Sequence, residues 1–194
     1  MENKKEKIED FKTAISSTVR SLSNSDKIEV SFGNQVSKTD KNNVKLPDLE
    51  KSNNKINYEE IRAIADSKSL QLRFSNKEIL KKHEPKGNVS KKLYDISEKL
   101  RCEKIGTSYF RGIKKNIDKF YQNRIINLDL KSSEDKIVES FENYLRVKFL
   151  DFKNDNKTEK KFKTYKKDIN DQLKSRISEL KNMISDQEKF NNFI

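Results

Sequence analysis

The sequence is poor in residues that interrupt helices and in residues that do metal or redox chemistry. Of 194 residues, 4 are glycine and 2 are proline. That is too few for a glycine-rich β fold and suits long helices. The single cysteine, Cys102, excludes an internal disulfide framework and fits a reducing, cytoplasmic setting. With one histidine, His83, the chain lacks the ligands of a usual zinc site. Neither GxxxxGK nor GxGxxG occurs, which excludes nucleotide sites of those types. No apolar run approaches the roughly 20 residues that a membrane span requires. The N-terminus, MENKKEKIEDFK, is charged with mixed sign and reads as neither a signal nor a transit peptide.

Charge is what the chain has in abundance. Charged residues make up 38% of the sequence against 32% hydrophobic, and the net charge is +12. A core must therefore come from narrow apolar stripes. The positive excess has two readings: a surface for nucleic acid or anionic lipid, or a solvated lysine-rich exterior. Lysine outnumbers arginine, the better residue for bidentate phosphate and base contacts, and acidic residues are interspersed almost throughout. Both features favour the solvated exterior. The one concentrated basic run, KNDNKTEKKFKTYKK at 153–167, holds seven lysines against Asp155 and Glu159 and reads as an exposed connector.

Periodicity predicts a mainly α fold: a multi-helix bundle with one small hairpin-like strand pair near residues 28–49. Phe11, Ile15, Val19 and Leu22 share one face of a helix over 5–23. Ile28, Val30 and Phe32 alternate with polar residues in a short strand ending at Gly33. Residues 44–49, VKLPDL, pair with it at an edge because of Pro47. A second helix begins after an N-cap at Asn57, with Glu59 and Glu60 in its first turn, and runs to about Leu80. HEPKGN at 83–88 is a turn. A third helix covers 90–105, with Gly106 stopping or kinking it. A fourth reaches about Ile126 with Phe110, Ile113, Ile117 and Phe120 in register. A fifth spans 133–152, capped by Ser132 or Ser133. A last helix covers 165–190. The organisation expected is an N-terminal helical domain at 1–152, a basic connector at 153–164, and a closing helix at 165–194 packed on the same domain.

Candidate catalytic groups are few. His83 lies in a turn among lysines and reads as a loop or helix-end histidine. Cys102 sits near the C-terminal end of its helix, where the dipole opposes a thiolate, and Arg101 beside it diverges by about 100° around the helix. It reads as a small packing residue. The string Asp66-Ser-Lys-Ser lacks the Asp-x-Ser-x-Ser pattern of a divalent-metal site and falls within a helix. No catalytic, cofactor-binding or metal residue is assigned. The informative group is instead Glu98, Arg101 and Glu103. Glu98 and Arg101 are three apart and can meet on one helix face, whereas Glu103 lies on another side.

The pattern Tyr94-Asp95…Glu98…Arg101, Glu103, Ile105-Gly106…Phe110, Gly112-Ile113…Asn116 resembles the T subunit of aerobic cobaltochelatase, from cobalamin biosynthesis. Other blocks agree in order: FKTAISSTVRSLS, IEVSF, KLPDL, PKG and ISELKNMISDQEKFNNFI. IRAIADSKSLQLRF is similar to that family's Arg-Gly-x-Ala-Asp-x-x-Ala-Leu-x-x-Arg helix through Arg62, Ala65, Asp66, Leu70 and Arg73. Ala63, Ser69 and Phe110 depart from the usual residues in ways that affect packing. The resemblance implies an N-terminal region, since the family continues through an acidic linker into a von Willebrand factor A-like domain bearing Asp-x-Ser-x-Ser. It implies a subunit of an ATP-dependent ligase that inserts Co²⁺ into hydrogenobyrinic acid a,c-diamide. The partners implied are an AAA+ ATPase subunit, a large corrin-binding subunit and further copies of the chain, and the whole complex would use ATP, Mg²⁺ and Co²⁺. The region itself would be a non-catalytic assembly and coupling module. Glu98, Arg101 and Glu103, with Asp66 and Arg73 of the second helix, would form an ion network within the fold or across a subunit boundary. A basic helical nucleic-acid-binding protein is the alternative.

Overall fold

A computed structural model describes residues 2–33, 43–49 and 57–194. Among these are nine helices and two short strands: α1 Glu2–Ser23, β1 Glu29–Phe32, β2 Asn43–Leu46, α2 Tyr58–Phe74, α3 Lys77–Lys82, α4 Asn88–Tyr109, α5 Arg111–Asn127, α6 Ser133–Phe149, α7 Asn156–Leu173, α8 Ile177–Asn182 and α9 Gln187–Phe193. No described helix is long and apolar enough to cross a membrane.

Helices α2, α3, α6, α7 and α9 start where a side chain accepts from their orphan N–H groups, whereas α4, α5 and α8 have no side-chain cap. Asn57 accepts from the Glu60 N–H at 3.2 Å. Ser132 and Asp135 form a capping box at the head of α6, so Ser132 is the cap. Asp155 accepts from the Thr158 N–H at 2.7 Å and starts α7. The helix expected to run to Leu80 breaks at Ser75, because Asn76 caps a new one by accepting from the N–H groups of Glu78 and Ile79.

Two corrections concern the strands and the basic run. β1 and β2 pair in parallel, with Glu29 opposite Asn43 and Phe32 opposite Leu46, and are not hairpin-like. A period-2 pattern is the same in either direction, so alternation alone does not distinguish the two pairings. The connecting residues 34–42 lie outside the described residues. The stretch 156–164, read as part of an exposed connector, is the first half of α7. Its Thr158 and Phe162 are buried, Phe162 with Tyr121, Ile125 and Phe152. Further along α7, Ile169 and Leu173 pack against the cluster of Leu100, Phe141 and Leu145, so the helix is seated along its length although its outer face is rich in lysine. The closing segment is three helices, not one.

Packing is organised around α2 and α4. Ile8, Ile15 and Val19 of α1 close over β1, β2 and Ile61 of α2 in one cluster. Leu100 of α4 joins Phe141, Leu145 and Phe149 of α6 with Leu180 and Phe190 in another. Between them, Leu70, Cys102, Ile113 and Ile117 join α2, α4 and α5. The buried positions of α5 recur every four residues, at Ile113, Ile117, Tyr121 and Ile125, so Tyr121, not Phe120, continues that face.

Gly106 does not stop α4, which continues to Tyr109. It lies inside the helix, where a Cβ would stand 2.2 Å from Leu70 Cδ2 and 2.8 Å from Leu70 Cγ. The glycine is what lets α2 approach. Gly106→Ala is therefore expected to cost about 1–3 kcal/mol by overpacking, despite alanine's better helix propensity. Thermal denaturation checks this. Adding Leu70→Ala should make the double variant less destabilised than the sum of the singles.

Candidate functional site

Glu98, Arg101 and Glu103 all lie on α4 and are all buried, at 3%, 1% and 1% exposure. They belong to two separate arrangements. Glu98 and Arg101 form a bidentate pair: Nε donates to Oε2 at 2.8 Å and Nη2 to Oε1 at 2.9 Å. The same guanidinium donates to the Ile184 carbonyl at 2.9 Å through Nη1 and to the Phe74 carbonyl through Nη2. Phe74 is the last residue of α2, whose final carbonyls have no intrahelical partner and carry the negative end of the dipole. Arg101 therefore holds the end of α2, the body of α4 and the segment before α9 with one planar group, a geometry lysine cannot reproduce.

Glu103 points elsewhere. Its Oε2 accepts from Arg146 Nη1 of α6 at 2.9 Å, and its Oε1 from the Ser67 hydroxyl of α2 at 2.6 Å. Arg146 also donates to Glu142 Oε1 through Nε at 3.0 Å and Nη2 at 2.9 Å. Glu142 accepts further from Lys99 at 2.8 Å and Arg124 at 3.0 Å, and Arg124 forks onto Glu139 at 2.9 and 2.7 Å. Three cations (Lys99, Arg124, Arg146) thus meet three carboxylates (Glu103, Glu139, Glu142) across α4, α5 and α6. The Tyr121 ring lies 4.3 Å from the buried Arg146 guanidinium and 5.1 Å from that of the half-buried Arg124, so both cations interact with its π-system.

Arg124, Glu139, Glu142 and Arg146 were missed by the sequence reading. Only the i,i+4 spacing of Glu142 and Arg146 was available in the sequence; that the whole stretch 140–146 is buried is seen only in the structure. Charges there must be paired.

Burial opposes the charge on Glu142, but Lys99, Arg146 and Arg124 together outweigh it and hold the carboxyl well below the usual range. A folded-state pKa below the unfolded one gives stability that is present above the unfolded value and lost as pH falls. Thermal stability is therefore expected to fall between about pH 5 and pH 3, with a shallower slope in Glu142→Gln. Equal slopes would contradict the assignment.

Asp66 and Arg73 do not join either arrangement. Asp66 is 5% exposed and accepts from the Asn116 amide at 3.0 Å, linking α2 to α5. Burial pushes its carboxyl up, against the Asn116 hydrogen bond and Arg62. Arg73 donates to the Leu22 carbonyl at 3.2 Å and lies over the rings of Phe74 and Phe110. In the string after Asp66, Ser67 serves Glu103 and Ser69 donates to its own helix at Ala65 O. These oxygens do not converge, and among the described residues no group of three or more His, Cys, Asp or Glu could hold a metal ion.

Cys102 is fully buried. Burial first, then Glu98 with an oxygen 3.7 Å from Sγ, pushes its thiol up. His83 closes α3 and stands 2.8 Å from Glu188, tying α3 to α9. Glu98, Arg101 and Glu103 of the α4 motif are thus turned inward; Arg101 and Glu103 grip other elements, and Glu98 holds Arg101.

No solved structure matches the chain. The family model described as "Cobalamin biosynthesis protein CobT" matches residues 5–194, the stretch that holds α4 and every helix it grips. The chain accordingly belongs to the CobT family, and its role lies in cobalamin biosynthesis.

Proposed function

We propose that the chain is a non-catalytic accessory subunit of the ATP-dependent aerobic cobaltochelatase, the ligase that inserts cobalt into hydrogenobyrinic acid a,c-diamide. In this reading it docks on the AAA+ ATPase subunit, assembles with copies of itself, and passes the ATPase cycle to the large corrin-binding subunit. ATP and Mg²⁺ would be used by the ATPase, and Co²⁺ is the substrate of the complex. In this reading no chemical step is assigned to the described residues. The reading is supported above all by the use of the ionisable residues. Glu98, Arg101, Glu103 and Arg146 lock α2, α4 and α6 into one unit, the property a part that transmits force requires. The test is reconstitution with both partner subunits, ATP, Mg²⁺, Co²⁺ and the corrin. Cobalt insertion should require the chain, and calorimetric titration of Co²⁺ into the chain alone should show no binding. Insertion without the chain, or turnover by the chain alone, would overturn the reading.

A nucleic-acid-binding role has one specific observation in its favour. Lys160, Lys163 and Lys167 lie along one exposed face of α7 with no carboxylate partner among the described ion pairs. It predicts retention on heparin that falls steeply with salt and weakens in Lys160→Gln/Lys163→Gln/Lys167→Gln. Elution at low salt would exclude it.

A further inference from the structure

The elbow between α4 and α5 carries a surface that packing within the chain does not explain. Tyr109, the last residue of α4, is 72% exposed, the most of the large hydrophobic residues described. Its ring is nonetheless held in place. It stacks on Phe74 with centroids 6.4 Å apart, and Phe110 stands 6.5 Å from it. The exposed Arg73 lies over the rings of Phe74 and Phe110, at 5.5 and 5.8 Å. Residues of two helices thus fix one aromatic ring with its outer side in water.

The first turns of α5 continue this surface with positive charge. Arg111, Lys114, Lys115 and Lys119 line one depression of about 560 Å³, with Asp118 the one carboxylate of that lining among the described residues. Lys114 pairs with Asp118 and Lys119 with Glu59, each at 2.6 Å. Arg73, Arg111 and Lys115 are exposed and have no carboxylate partner among the described ion pairs. Gly112 lies exposed beside Arg111, and a Cβ there would meet nothing within 4 Å. Glycine is a poor helix former, so neither packing nor helix formation within the chain accounts for it. A glycine at a surface lets another backbone approach closely.

We infer that this elbow is a docking surface for an acidic segment of a partner polypeptide. Arg73, Arg111 and Lys115 meet its carboxylates, Tyr109 packs on its aliphatic carbons, and Gly112 lets its backbone come close. Tyrosine and arginine are the residues that dominate contacts between proteins, and a guanidinium fork matches a carboxylate. A nucleic-acid strand fits less well. Tracking a strand takes several ring platforms along a continuous basic groove. Here one ring is open, and Asp118 and Glu59 interrupt the cations of α5 beyond Lys115. The inference goes beyond the coupling role and survives if that role fails, since any partner of this chemistry satisfies it.

Fluorescence anisotropy of the whole chain against three short labelled probes tests it: a peptide repeating Leu-Glu-Glu, one repeating Leu-Gln-Gln, and a single-stranded DNA oligonucleotide. The Leu-Glu-Glu peptide should bind in a saturable manner and the Leu-Gln-Gln peptide at least about tenfold more weakly. Arg111→Gln/Lys115→Gln should weaken the Leu-Glu-Glu peptide about tenfold. Lys160→Gln/Lys163→Gln on α7 removes the same charge and should weaken it less than about twofold, which controls for simple attraction to a protein of charge +12. Gly112→Gln adds a side chain in open space, so its Tm should not fall while its affinity drops about tenfold. Tyr109→Ser changes an exposed residue and provides a second variant if Gly112→Gln does not fold. It too should weaken the peptide and leave the oligonucleotide unaffected. Failure of the Leu-Glu-Glu peptide to bind, equal losses in the two double variants, or unchanged affinity in Tyr109→Ser would overturn the inference. So would a larger loss for the oligonucleotide than for the peptide in Arg111→Gln/Lys115→Gln and Tyr109→Ser, which would assign the surface to a nucleic acid.

Discussion

Arg146→Ala is expected to destabilise the fold by about 3–5 kcal/mol, the cost of breaking a buried pair by removing one partner. For a chain of this size that lowers Tm by roughly 10 °C. The residue is 3% exposed and is held by Glu103 and Glu142 from two helices. Its removal leaves Glu103 buried with only Ser67 as partner, and leaves the Tyr121 ring without one of its two cations. The size of the effect comes from desolvated charge, not lost contact area. Glu103→Gln/Arg146→Met should therefore recover a substantial part of the loss, since replacing both partners removes the uncompensated charge. Urea denaturation of the two singles and the double completes the cycle. Additive losses would show that the pair is not coupled.

The second large effect is expected at Arg101. Arg101→Ala takes the partner from Glu98 and leaves the Phe74 and Ile184 carbonyls unpaired. A loss of about 3–5 kcal/mol is again expected. Arg101→Lys should restore little of it, because an ammonium cannot fork onto Glu98 while reaching two carbonyls on different elements. Chemical denaturation of both variants checks the order: wild type, then Lys, then Ala. Co-elution with the ATPase subunit should weaken only as stability does. Normal stability with lost co-elution would move Arg101 from the framework of the fold to a subunit boundary.

What could be read from the sequence depends on how far apart the interacting residues lie. Helix starts at Asn57, Ser132 and Asn76 depend on atoms two or three residues away, and the first two were legible. The Glu98–Arg101 pair is equally local. Glu103 was seen as facing elsewhere, but its partner Arg146 is 43 residues on and no spacing rule reaches it. Gly106 is the clearest case of a local rule overruled. A glycine near the end of an apolar-periodic run reads as a stop. Here the pressure comes from Leu70, a residue of another helix, and α4 continues to Tyr109. The basic run at 153–167 misled for a related reason. Its lysines dominate the pattern, while Thr158 and Phe162 alone face the core. α1 packs on β1 and α2 on β2, and the direction in which the two strands run is something alternation does not encode.

The proposed coupling role requires that these helices act as a rigid docking part. Sedimentation velocity of the chain mixed with the AAA+ ATPase subunit, with ATP and Mg²⁺ present, measures it most directly. A single faster-moving complex containing both polypeptides is the predicted result. Two species sedimenting independently at every ratio tested would contradict the account.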